Sequence, residues 1–200
     1  MCQINLEKER EKLDREITFF HLKRAKRIIL RALKEARRRK DWFFIYYFTA
    51  QKYILNERFK EAKRYLDKAL RLRPKDALSY NDKAICLAEL GNYEDALSCF
   101  NEGIKKNKDC PTLFHNKGWL LNFLNRHKEA VVCFHKALEF DPFRPESLYS
   151  LADSYFSLGK LKEAKKYFQK AAQAVRGKSS FVYGEAKRRF REILSLENNA

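Results

Sequence analysis

Four alanines, Ala62, Ala96, Ala130 and Ala164, recur at intervals of 34 residues. Around each the same string returns: a turn, the alanine, a large residue four positions on, and a small residue three further. It reads ILNERFKEAKRYLDKAL at 54–70, ELGNYEDALSCFNEGI at 89–104, FLNRHKEAVVCFHKAL at 123–138 and SLGKLKEAKKYFQKAA at 157–172. Self-similarity at a period of this size restricts the chain to stacked supersecondary units, each burying its apolar face on its neighbours. Within a period the pattern is helical, twice over. In the third, Phe114, Gly118 and Leu121 fall at i, i+4 and i+7, the chain turns at Asn125 and Arg126, and Ala130, Phe134 and Ala137 repeat the spacing. The small residues let two helix backbones approach, while Phe100, Phe134 and Phe168 fill the gap to the next pair. Pro74 and Pro142 close two periods, since proline cannot continue a helix interior. Only 6 Gly and 4 Pro occur in 200 residues, which suits long helices and opposes a many-turned β sandwich.

Written as bulky, small, bulky, then alanine, large, small and proline, the first period (43–76) gives Tyr46, Ala50, Tyr53, Ala62, Leu66, Ala69 and Pro74. The second (77–110) gives Tyr80, Ala84, Leu87, the turn Gly91, Ala96, Phe100 and Gly103. The third (111–144) gives Phe114, Gly118, Leu121, Ala130, Phe134, Ala137 and Pro142, and the fourth (145–178) Leu148, Ala152, Tyr155, Gly159, Ala164, Phe168 and Ala171. Over 43–178 this resembles the tetratricopeptide repeat (TPR) family. The departures are Gly103 for alanine, Lys108 and Arg176 for proline, and Glu57 for the turn glycine. The resemblance implies an all-α fold, a right-handed α-solenoid of antiparallel helix pairs (TPR superhelix) with four units. Upstream, Leu22, Ala25, Ile29 and Ala32 align with Phe59, Ala62, Leu66 and Ala69, but at a separation of 37, so three residues are inserted, expected around Lys40 to Trp42. Residues 1–42 are therefore read as a degenerate, basic N-terminal capping repeat. Residues 179–200, with the stripe Phe181, Val182, Ala186, Phe190 and Ile193/Leu194, are read as a C-terminal capping helix.

In the TPR family the first helices line a concave groove that usually holds a peptide or a partner helix. The resemblance assigns to the groove Tyr47, Gln51, Asn81, Asp82, His115, Asn116, Trp119, Phe123, Tyr149 and Asp153, with Phe48, Ile85, Ser150 and Phe156 beside them. Such a surface is aromatic and polar with hardly a cation. Its rings would anchor a peptide and its amides would grip the peptide backbone. Some TPR domains hold an acidic chaperone tail in a two-carboxylate clamp of Lys, Asn and Arg. The equivalent places here carry Tyr47, Gln51, Asp82, Thr112 and Asn116, or one unit on, Asn81, Ile85, Asn116, Glu146 and Ser150. Neither register supplies the cations, which argues against that ligand.

The formal net charge is +17, and residues 21–40 carry about half of it, with Glu35 alone opposing ten cations. Lys23, Arg24, Arg27, Arg31, Lys34 and Arg38, joined by Lys60 and Arg64, make a basic face on the second helices. Lys23, Arg27, Arg31, Lys34 and Arg38 form one stripe about 22 Å long, which suits an acidic protein surface or a phosphate backbone. The leading expectation is a non-enzymatic scaffold, its groove binding a peptide or helix and its basic N-terminal face docking on an acidic partner. One alternative is an RNA- or ribosome-associated protein binding phosphates through residues 21–40. Another is a salt-sensitive homo-oligomer in which the basic repeats meet the acidic second unit (Glu94, Asp95, Glu102).

No Gly-rich phosphate loop, G-x-S-x-G or H-E-x-x-H occurs. Cys133 and His135 lie two apart on one helix and point to different sides, a poor start for a zinc site. No catalytic residue, cofactor or metal is expected. The five cysteines include no C-x-x-C pair and their count is odd, so free thiols in a reducing compartment are expected, with Cys86, Cys99 and Cys133 in the core. No apolar run nears the ~18 residues of a membrane span. The first twenty residues alternate in charge, unlike a signal peptide, and a cytoplasmic location is the expectation.

Overall fold

A computed structural model describes residues 4–18, 21–175 and 181–198. Among the described residues it is eleven helices and no strand. Cys2, Arg176 and the side chains of Phe181 and Val182 lie outside what is described. The chain forms two compact bodies, the first ending at Asn107 and the second beginning at Lys108.

The N-terminal body holds α1 (Leu6–Thr18), α2 (Leu22–Arg38), α3 (Trp42–Ile54), α4 (Phe59–Leu72), α5 (Ala77–Glu89) and α6 (Tyr93–Lys106). The C-terminal body holds α7 (Pro111–Phe123), α8 (His127–Phe140), α9 (Pro145–Ser157), α10 (Leu161–Ala174) and α11 (Phe181–Asn198). The periodicity sets the starts and stops. Asp41 caps α3 by accepting from the Phe44 N–H at 3.3 Å, and Asp76 caps α5 by accepting from the Ser79 N–H at 2.8 Å. In the other body the same place is taken by proline, with Pro111 opening α7 and Pro145 opening α9.

Each first helix of a pair ends the same way. Arg58, Asn92, Arg126 and Lys160 donate their N–H groups back to the carbonyls of Tyr53, Leu87, Leu121 and Tyr155, all at 2.9 Å. The residue before each donor adopts a left-handed conformation: Glu57, Gly91, Asn125 and Gly159 have φ of 57°, 78°, 58° and 71°. This is the Schellman stop, repeated every 34 residues, and it folds the second helix back on the first. Glycine serves at two of the four places, and Glu57 carries the steric cost of a Cβ there.

The repeat alanines Ala62, Ala96, Ala130 and Ala164 have no solvent exposure, and Leu66, Phe100, Phe134 and Phe168 have at most 1%. Burying each of these large side chains stabilises by about 1.5–3 kcal/mol. α7 and α8 approach closely at Gly118, where a Cβ would sit 2.8 Å from Phe134 Cε1. In the C-terminal body Phe168, Ala171 and Ala152 pack with Ala186 and Ile193 of α11.

The upstream hairpin differs from expectation in one respect. The extra residues do not form a longer loop around Lys40 to Trp42; they extend α2 itself, which has 17 residues where α4, α6, α8 and α10 each have 14. Lys40, at φ 55°, then stops α2, with the Asp41 N–H bonded to the Ala36 carbonyl at 3.0 Å.

Candidate interaction surfaces

α1 has few apolar residues, but Leu6, Leu13 and Ile17 share one face. Leu6 and Leu13 are buried in the cluster that contains Phe43, Phe44 and Phe48 of α3. Arg10, between them on that face, is only 4% exposed. Its guanidinium lies 4.1 Å from the Tyr47 ring centroid and 5.3 Å from that of Phe43. It donates to both carboxylate oxygens of Asp76, at 2.9 and 2.7 Å, and to Glu7 Oε2 at 3.0 Å. Because Asp76 is also the α5 cap, this fork ties α1 to α3 and to the start of α5. Burial raises the Asp76 pKa, but the hydrogen bond and charge of Arg10 outweigh it and hold the carboxyl below its usual range. Glu7 adds an ion pair to Arg73 at 2.7 Å.

α1 thereby covers Tyr47 of the expected groove and brings Asp14 close to Asp82. Tyr47, Gln51 and Asn81 are 5%, 4% and 7% exposed. Asp82 is half-buried, accepting from Gln51 Nε2 at 2.5 Å and from Asn81 Nδ2 at 3.2 Å. Its carboxyl is pushed up to about 6, mainly by burial and further by the charge of Asp14 on α1. These four residues are brought together, but as a closed face.

The remaining groove residues lie in the C-terminal body. His115 is half-buried, its Nδ1 2.9 Å from Ser147 Oγ and its ring 5.6 Å from that of Phe134. Burial, with the nearby Arg144 charge, lowers its pKa to about 3, so the imidazole is neutral. Asn116 is half-buried on the same helix. Trp119 and Phe123, at i and i+4 of α7, are 53% and 57% exposed, with rings stacked at 6.2 Å and 14°. On α9, Tyr149 leans on Phe168 at 5.4 Å. Arg189 of α11 sits 3.6 Å from Asp153 and 5.1 Å over the Phe156 ring. The last helix thus partly covers α9.

All eight residues of the expected basic face are exposed. Several are nevertheless neutralised. Arg31 is bonded to Glu9 of α1, Arg24 lies 3.9 Å from Glu16, and Glu35 accepts from Arg38 at 2.7 Å and from Arg39 at 2.5 Å. Hydrogen bonds from Arg38 and then Arg39 lower the Glu35 pKa to about 2. Lys23, Lys34, Lys60 and Arg64 have no ion-pair partner among the described residues, and Arg27 reaches only the Lys23 carbonyl, at 3.5 Å. The stripe of five is thus reduced to Lys23, Arg27 and Lys34.

Cys86, Cys99 and Cys133 are buried free thiols. Burial pushes Cys86 up to about 12 and Cys99 up to about 11, which makes both poor nucleophiles at neutral pH. Among the described residues no three His, Cys, Asp or Glu are placed to hold a metal, and no helix is long and apolar enough to cross a membrane.

Family models of the tetratricopeptide repeat match residues 53–116, 111–144 and 145–176, an unbroken run over more than half of the 200 residues. The chain belongs to the tetratricopeptide repeat family. The TPR fold is matched in solved structures. A thermophilic TPR protein of Thermus thermophilus superposes with TM-score 0.72 at 18% identity, covering 93% of this chain and 98% of that one. MamA from Desulfovibrio magneticus RS-1 gives 0.60 at 22%, covering 80% and 97%. The first TPR of Spaghetti (RPAP3), bound to the HSP90 peptide SRMEEVD, gives 0.56 at 21%, covering 61% and 93%. Signal recognition particle subunit SRP72 of Dictyostelium discoideum is 38% identical over 50 residues, 25% of this TPR chain and 7% of that protein.

Sequence reasoning missed Arg10 and Arg189, the two TPR-covering arginines. Arg10 had a legible signal, its i+4 and i−3 placement relative to Leu6 and Leu13 on the only apolar face of α1. Arg189 had none, because an exposed arginine and one laid over a ring have the same sequence signature.

Proposed function

We propose that this TPR chain is a non-enzymatic scaffold that binds a protein partner through α7. The carrying observation is the stacked pair Trp119 and Phe123, more than half exposed on one side of that helix. Large flat rings are the usual energetic centres of protein contacts. Asn116 and His115, on the same helix, would supply polar contacts to a bound peptide or helix. The closed face of Tyr47, Gln51, Asn81 and Asp82 is outside this contact while α1 is seated. The buried free thiols fit a reducing, cytoplasmic setting.

A second reading has its own support. Lys23, Arg27, Lys34, Lys60 and Arg64 are exposed cations with no ion-pair partner among the described residues, and the short likeness is to a signal recognition particle subunit, SRP72. On this reading the basic face docks on RNA or on a ribosome-like assembly. Affinity capture from native lysate, with and without nuclease, separates the two. The first reading expects nuclease-resistant partners that are lost with Trp119→Ala plus Phe123→Ala. The second expects nuclease-sensitive ones lost with Lys23→Glu plus Arg27→Glu. Capture unaffected by either pair of changes contradicts both.

A further inference from the structure

A cleft of about 400 Å³ opens between α2, α3 and α4. Its volume lies in the range of small-ligand sites, ~300–1,000 Å³. Trp42, Tyr46 and Tyr53, at i, i+4 and i+11 of α3, line it together with Tyr65 of α4. Tyr53 and Tyr65 stack at 5.4 Å and 20°, and Trp42 lies 5.8 Å from Tyr46. The Trp42 indole is 57% exposed, an unusual degree of exposure for so large a ring. The cleft's charged lining is Arg37, Lys52 and Lys68, and no carboxylate is among its lining residues. Lys68 Nζ sits 5.5 Å from the Tyr46 ring centroid and 5.1 Å from that of Tyr65, so the ammonium is held at the aromatic wall.

We infer that this cleft takes unpaired nucleotides of single-stranded RNA, one base stacking on Trp42 and neighbouring phosphates meeting Arg37, Lys52 and Lys68. An exposed ring beside acid-free cations is what a sequence-tolerant single-strand site requires. Single strands are also the form of RNA whose bases are free to stack on aromatic side chains. A purely acidic segment such as oligoglutamate would satisfy the three cations but would leave the exposed indole without a stacking partner. The cleft lies beside the C-terminal end of α2, so the inference deepens the ribonucleoprotein reading and rests on it.

The test titrates the full chain with a single-stranded oligouridylate of about twelve nucleotides, within the ~4–16 covered by typical single-strand sites, and follows tryptophan emission. Quenching by the oligouridylate is expected. Trp42→Leu should remove the quenching and weaken binding about tenfold or more, with an unchanged circular-dichroism spectrum. Lys52→Glu with Lys68→Glu, both exposed, should weaken binding and flatten the log–log salt slope by roughly 1.4. Oligouridylate binding that is lost with Lys23→Glu plus Arg27→Glu yet never quenches Trp42 overturns the cleft and leaves the ribonucleoprotein reading standing. No RNA binding at low salt ends both. Quenching by oligoglutamate, with displacement of the RNA, overturns the nucleotide assignment in favour of an acidic protein segment.

Discussion

Replacing Arg10 by Met removes the guanidinium while keeping an apolar stem of similar length. Asp76 then loses both bonds from Arg10 and Tyr47 loses the cation over its ring, while Phe43 keeps Arg73 at 3.9 Å. Breaking a buried pair by removing one partner typically costs ~3–5 kcal/mol. Two features place this case at the low end. Asp76 keeps its cap bond from the Ser79 N–H, and Arg10 Nε is itself buried without a hydrogen-bond partner. The expected loss is about 3 kcal/mol. It should fall on α1, whose other anchors include Leu6, Leu13 and ion pairs of Glu7, Glu9 and Glu16 to the largely exposed Arg73, Arg31 and Arg24, each worth little. Since ~1.4 kcal/mol is a factor of ten, α1 amides should exchange about a hundredfold faster, while those of α5 and α6 change little. Hydrogen exchange resolved by mass spectrometry reads this directly. Asp76→Asn and the double variant complete a cycle, with a coupling energy of at least ~1 kcal/mol expected. Unchanged α1 protection in Arg10→Met, with coupling near zero, would refute the claim that Arg10 fastens α1 across α3.

Three further outcomes follow from the geometry. Gly118→Ala should destabilise the C-terminal body by ~1 kcal/mol in a urea titration, because overpacking costs ~1–3 kcal/mol and improved helix propensity returns up to ~1; equal or greater stability would contradict the tight contact with Phe134. Glu57→Gly should stabilise the N-terminal body by ~0.5–1 kcal/mol, as relief of the left-handed strain exceeds the added freedom of the unfolded chain, and a loss of stability would contradict it. Acidification between about pH 6 and pH 4.5 should move the two bodies in opposite directions. Asp82, raised to about 6, binds its proton first in the folded chain and so adds stability there, whereas His115, lowered to about 3, is protonated first in the unfolded chain and removes it. Exchange rates falling around Asp82 and rising around His115 would bear this out, and parallel changes would not.

The helix pairs are legible in the sequence because their signals are local and repeated. Small residues at Ala50, Ala84 and Gly118 and the stop at Glu57, Gly91, Asn125 and Gly159 each act within one hairpin, so one chain presents four copies of the same pattern. The surfaces are less legible because they depend on what the two end helices cover. The α1 sequence alternates in charge and offers few apolar residues, yet one arginine on its apolar face lies over Tyr47 and bonds Asp76. The same helix supplies Glu9 and Glu16, which pair with Arg31 and Arg24 of a basic face that Glu35 alone opposes when α2 is read by itself. Sequence reasoning places the three-residue insertion around Lys40 to Trp42, whereas here the amphipathic pattern of α2 runs on through Ala36.

Partner binding turns on which rings are available. Hydroxyl-radical footprinting of the free chain measures that availability residue by residue. Rapid oxidation is expected at Trp42, Trp119 and Phe123, slow oxidation at Phe43 and Tyr47, and loss of the Trp119 and Phe123 signals once a protein partner is bound. Rapid oxidation of Tyr47 in the free chain, with Trp119 unprotected in the complex, would contradict it.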